Sequence, residues 1–180
     1  MSTGARLEDA LHSRRIGLKG PRAAAWLREH DVTVPGLPNS WRALGDEAQP
    51  RDLIARLGNA EFFVEQASPA ALIERLAREL SVPIEGVYPV LREDRALVLS
   101  GVAADDVLAQ VCNVDFKAVS RDERHVVMTM MIGVAVLVIP QNEPVGSAAP
   151  QANAGCYRVW CDPSYGDYLW SSLQDAMRSA

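Results

Sequence analysis

The sequence predicts an α+β protein made by internal duplication, with antiparallel sheets and packed helices, and three observations carry that reading. The stretch 18–27 (LKGPRAAAWL) matches 99–108 (LSGVAADDVL) in residue type, so a strand end, a glycine turn and a helix start occur twice. The stretch 58–64 followed by Ser68-Pro69 is matched by 155–159 followed by Pro163-Ser164, so a strand running to a proline-marked helix start also occurs twice. In the second copy Tyr157, Val159 and Cys161 alternate with Cys156, Arg158 and Trp160, the period of a pleated strand, before Asp162 and Pro163 open a helix. The 180 residues read as a single compact domain of two pseudo-repeats, about 14–82 and 84–178.

The first repeat should hold a helix over 21–30, strands near 40–44, 52–57 and 61–66, and a helix over 69–80. That last helix puts Leu72, Ile73, Leu76 and Leu80 on one stripe and Glu74, Arg75 and Arg78 outside it. The second repeat should hold strands near 86–91 and 96–99, a helix over 103–111, and an apolar run over 126–139. Thr129 and Gly133 interrupt the run, which falls short of the ~20 residues of a bilayer-spanning helix. Its Val, Ile and Met content fits two buried strands, with Met128 and Met130 sharing a core-facing side. Residues 141–155, with Pro144, Gly146, Ser147 and Pro150, read as a long mobile loop, and both chain ends are expected to be mobile too. In the closing helix Tyr165, Tyr168, Leu169 and Ser172 fall on one side, with Trp170 partly round from them, a face expected to be buried.

The 48% hydrophobic content supports an ordered core, while a net charge of −5 argues against a general nucleic-acid binder. Arg6, Arg14, Arg15, Lys19 and Arg22 form a basic group near Glu8 and Asp9, and read as solvated surface. The polar N-terminal stretch through Arg15 is unlike a secretory leader, so a cytoplasmic location is expected, with no membrane span. Three cysteines cannot all pair within the chain, and Cys156 and Cys161, an odd interval apart, point to opposite faces of one strand. Cys112 reads as a small buried hydrophobe.

The chain is poor in reactive groups. His12, His30 and His125 fall in no metal-ligand spacing. His30 suits a helix end and His125 a solvated polar turn. No glycine-rich phosphate loop occurs. Asp115, between Val114 and Phe116, is the carboxylate most in need of donors and reads as a turn cap. Gly155-Cys156-Tyr157 resembles, for three residues, the signature of folate-dependent iron–sulfur assembly proteins, but Ala154 stands in the Lys position and 158–160 do not continue it. No catalytic, cofactor-binding or metal residue is therefore predicted.

Five segments of the second repeat together resemble the gamma subunits of heterotetrameric sarcosine oxidases and related N-methyl amino acid oxidases. They are Ser100-Gly101-Val102-Ala103, Val114-Asp115-Phe116, the apolar hairpin from Thr129 to Pro140, Ser164-Tyr165, and Tyr168-Leu169-Trp170. Phe116 departs from the usual Leu, and Asp162-Pro163 stands where the family more often has Arg before the Ser. The first repeat is matched by pattern only. The resemblance implies the folate-binding aminomethyltransferase fold and a non-catalytic accessory subunit, partnered by alpha, beta and delta chains. Those chains would carry FAD, FMN, NAD and tetrahydrofolate, and the complex would oxidise an N-methyl amino acid such as sarcosine. The aromatic residues of the closing strand and helix, Trp160, Tyr165, Tyr168 and Trp170, are the expected partner contacts, since apolar surface of this kind marks an interface. A different class of reading, a free-standing folate-binding or aminomethyltransferase-like protein, would need a pocket built from Asp115, Tyr157 and Trp160.

Overall fold

A computed structural model describes residues 4–10, 13–45, 52–67, 69–142 and 154–180. In chain order the elements are β1 (Ala5–Asp9), β2 (Ser13–Lys19), α1 (Ala23–Glu29), β3 (Ser40–Ala43), β4 (Leu53–Arg56), β5 (Glu61–Ala67), α2 (Ala71–Glu79) and β6 (Tyr88–Val90). They continue with β7 (Arg95–Gly101), α3 (Ala104–Val111), β8 (Val127–Met131), β9 (Val134–Asn142), β10 (Gly155–Cys161) and α4 (Gly166–Ser179). The chain divides into a middle unit, His12–Glu93, and a terminal unit, Met1–Leu11 with Asp94–Ala180.

Among the described residues each unit holds one five-stranded antiparallel sheet and two α-helices. The middle sheet runs β6-β2-β5-β4-β3 and the terminal sheet β1-β7-β10-β9-β8. The two orders correspond strand for strand, which is the duplication expected from the sequence. The correspondence reaches further than the sequence suggested, for it includes β1, a strand not anticipated. Each repeat opens with an edge strand that pairs in the other repeat's sheet: β1 pairs β7, and β6 pairs β2.

The helix starts show why the duplicated glycines are needed. Gly20 and Gly101 have φ of 128° and 114°. A Cβ on Gly20 would lie 2.3 Å from the Gly86 carbonyl oxygen, and one on Gly101 2.3 Å from that of Gly4. The same carbonyls accept from the amides of Arg22 and Ala103, both at 3.0 Å. Each helix start is thus completed by backbone delivered from the other repeat. Gly101→Ala should cost at least about 1–3 kcal/mol through strain and the backbone clash. A thermal melt should show the loss, and an unchanged midpoint would refute it.

The equivalent buried positions follow. Leu18, Ala23 and Leu27 sit in the middle unit's core, and Leu99, Ala104 and Leu108 in the terminal unit's. Along the exit strand, pairing sets Phe62 opposite Leu18 and Tyr157 opposite Leu99. The two exits are therefore related two residues away from the alignment that matches Gly58 with Gly155. The even shift keeps each residue on its own face.

The α2 stripe is as expected, with Ile73 and Leu76 buried and Leu72 and Leu80 packed beside them. The apolar run forms the β8–β9 hairpin, turning at Ile132 and Gly133, whose φ values of 49° and 81° are those of a two-residue turn that follows the strand twist. Three expectations are corrected. Met128 and Met130 face solvent, because Val127, Thr129 and Met131 take the helix-covered side. Arg15 is partly buried, its side chain paired with Glu65, its cross-strand partner, and is not solvated surface. Gln141, Asn142 and Gly155 belong to strands, while the rest of the expected long loop lies outside the described residues.

Candidate functional site

The β10-to-α4 corner positions the residues singled out for partner contact. Asp162 follows β10, and its carboxylate accepts from the Ser164 amide at 2.9 Å and the Ser164 hydroxyl at 2.5 Å. Those two bonds, the hydroxyl's first, hold its pKa below the ordinary carboxylate range. Pro163 begins a short 3-10 turn, Pro163–Tyr165, that feeds α4. The buried stripe of α4 is Gly166, Leu169, Leu173 and Ala176. Tyr165 and Tyr168 lie outside that stripe, which corrects the expectation that they would be buried; they are 53% and 51% exposed. The Tyr168 hydroxyl reaches the Ile132 carbonyl at the hairpin turn, 3.3 Å away.

Trp170 is half-buried against the terminal core, and Trp160 is 2% exposed with the Arg158 guanidinium 5.6 Å from its ring centroid. The four residues therefore divide. Tyr165 and Tyr168 offer aromatic surface with a polar tip, the composition of an interface anchor. Trp160 and Trp170 spend their rings largely on packing.

Asp115 is exposed and caps its own turn, its Oδ1 accepting from the Lys117 amide at 3.0 Å. Tyr157 and Trp160, an odd interval apart on β10, face opposite sides of the sheet. Asp115, Tyr157 and Trp160 thus do not converge on a common pocket. His30 ends α1, with Nδ1 2.8 Å from the Trp26 carbonyl oxygen, and His125 pairs with Glu123 at the surface. Cys112 is buried at the end of α3, and Cys156 and Cys161 occupy opposite faces of β10. Among the described residues no group of three His, Cys, Asp or Glu side chains is placed to hold a metal ion, and no helix is long and apolar enough to cross a membrane. His12 lies outside the described residues.

One polar cluster went unnoticed in the sequence. Tyr157 donates its hydroxyl hydrogen to Asp105 Oδ1, and Arg121 Nη2 lies 2.9 Å from the same hydroxyl and 3.1 Å from the carboxylate. Phe116 meets the Tyr157 ring edge-on, 5.3 Å between centroids. Gly155 leaves room for the cluster, since a Cβ there would come within 2.7 Å of both Asp105 and Tyr157. The cluster ties α3, β10 and the 113–126 connection together. The duplication marks part of it: Asp105 stands where the first repeat has Ala24, whereas the equivalence of Tyr157 with Phe62 emerges only from the strand pairing.

Burial first, then the bond to Asp105, push the Tyr157 pKa above the ordinary phenol range, against the pull of Arg121. The neutral hydroxyl is the form the fold favours. Its contribution is full below the unfolded value of about 10 and is lost as pH rises beyond it. Stability measured in denaturant should fall as pH rises above about 10, and Tyr157→Phe should flatten that limb. An identical alkaline limb in the variant would dismiss Tyr157 as its source.

No protein-family model and no curated protein matches the chain. Solved structures do. A chain of the heterotetrameric sarcosine oxidase from Corynebacterium sp. U-96, 22% identical, superposes with a TM-score of 0.70 over 97% of this chain and 84% of that one. The glycine cleavage system aminomethyltransferase T from Bartonella henselae, 15% identical, superposes with a TM-score of 0.62 over 94% of this chain and 45% of that one, so this chain spans about half its length. At these identities the likeness speaks for architecture: the chain has the α+β, antiparallel-sheet fold of the aminomethyltransferase-like proteins.

Proposed function

We propose that this chain is a non-catalytic accessory subunit, of the gamma type, in a heterotetrameric sarcosine oxidase-like complex. The observation that carries the reading is the superposition, over 97% of this chain, on a chain of similar length from a heterotetrameric sarcosine oxidase. The exposed Tyr165 and Tyr168 support it as contact residues, with Trp170 beside them. In this reading alpha, beta and delta chains carry the FAD, FMN, NAD and tetrahydrofolate. The complex, in the cytoplasm, oxidatively demethylates an N-methyl amino acid such as sarcosine and passes the one-carbon unit to tetrahydrofolate. The chain's own residues supply packing surface and no reacting group.

Purification of the tagged chain from its host, with mass spectrometry of what co-elutes and an absorption spectrum, tests this. Three further subunits and a flavin spectrum are expected. A solitary, colourless chain would overturn the reading. The aminomethyltransferase likeness keeps a second reading in view, a free-standing folate-binding protein. Quenching of tryptophan fluorescence by tetrahydrofolate in the isolated chain would favour it, and no quenching at millimolar ligand would remove it.

A further inference from the structure

We propose that Met128 and Met130 form a peroxide-accepting pair, two thioethers on one face of β8 that each take an oxygen atom from a hydroperoxide while the chain keeps its fold. Both residues are 54% exposed. They stand two residues apart on a strand at the sheet's edge, so they share a face, with Leu137 and Ala135 opposite them on β9. Met131, the next residue, points the other way and is 0% exposed within the terminal core. Met177 is partly buried against the same core. One short strand thus carries two accessible sulfurs and an inaccessible one.

The chemistry needs no other residue. A lone pair on sulfur attacks the hydroxyl-bearing peroxide oxygen, the O–O bond breaks and an S–O bond forms; the proton on that oxygen passes, directly or through water, to the departing oxygen, which leaves as water or, from an organic hydroperoxide, as an alcohol. Sulfur is oxidised by two electrons and the peroxide reduced by two. The new sulfoxide oxygen is a strong acceptor, and on this face it enters solvent. At Met131 the same oxygen would enter a packed core, where an unmatched acceptor is costly. Oxidation of the pair therefore turns an apolar strand face polar without disturbing the fold, and methionine sulfoxide reduction restores it. This inference is independent of the proposed assembly.

The full chain should be treated with hydrogen peroxide and mapped by peptide mass spectrometry over time. Met128 and Met130 are expected to gain oxygen roughly tenfold faster than Met131, with the near-ultraviolet circular dichroism unchanged when both are modified. Equal rates at Met131, no uptake at the pair, or loss of the tertiary signal in step with uptake would each overturn the proposal. The double variant Met128→Leu with Met130→Leu, a volume-conserving change, should fold and lose the fast uptake. Persistence of the fast uptake in that variant would overturn the assignment.

Discussion

Glu65→Ala is expected to destabilise the protein by about 3–5 kcal/mol. The Glu65 side chain is fully buried, and the Arg15 side chain directly opposite it is 10% exposed, with Nε 2.5 Å from Oε2. Two ions so far from water hold together because each offsets much of the other's desolvation. Removing the carboxylate leaves the largely covered Arg15 side chain without this counter-ion, which is the costly half of the exchange. Replacing both, as Arg15→Met with Glu65→Leu, should cost far less than the single change, and can raise stability. Denaturant unfolding of the wild type, the singles and the double gives the coupling energy directly. A single-variant loss below about 1 kcal/mol would mean that the pair behaves as a surface ion pair.

Cutting the chain between α2 and β6 should abolish folding of either piece alone. Fragment 1–82 would keep β1, whose sheet partner β7 is gone, and would lose β6 from the edge of its own sheet. It would also lose the Gly86 carbonyl that accepts from Arg22 at the start of α1. Fragment 83–180 would lose β1 and the Gly4 carbonyl that accepts from Ala103 at the start of α3. Each piece then exposes the backbone of a long central strand and leaves a strained glycine turn without its partner. Circular dichroism should show no cooperative transition for either fragment, and mixing the two should restore one. A monomeric fragment with a sharp transition of its own would show that the exchanged edge strands are dispensable, and would count against reading the chain as a single cooperative domain.

What the sequence revealed, and what it hid, has physical reasons. The glycine turns, the α2 stripe and the Asp162-Pro163 helix start were legible because each depends on neighbours within a few residues. β1 was not, since Leu7 is its one large apolar residue and its pairing partner lies some ninety positions away. The α4 face was misjudged in phase. The buried stripe is Gly166, Leu169, Leu173 and Ala176, one position round from the row of Tyr165, Tyr168 and Ser172 that the aromatic spacing suggested. On β8 both faces are apolar apart from Thr129, and alternation alone could not tell which would meet the helices. Thr129 turned inward, with Cys112 Sγ 3.8 Å from its hydroxyl. Arg15 was read by charge, whereas its placement follows from Glu65, fifty residues on. At the candidate site, Tyr165 and Tyr168 were read onto a buried face, and the helix phase leaves them exposed instead. The Asp105–Arg121–Tyr157 cluster joins three distant segments and left only the difference between repeats as a trace.

The exchanged edge strands also bear on how such a chain could arise. A single repeat made on its own would carry an N-terminal strand that its own sheet cannot receive and a sheet edge that its own strand cannot fill. Two copies would satisfy each other by trading those strands, a strand-exchanged dimer whose folding depends on the concentration of the chain. Fusing the copies head to tail replaces that dependence with a fixed local concentration set by the connecting loop. The present protein is in form such an exchanged pair written as one chain, which removes the need for two copies to meet before the edge strands can pair.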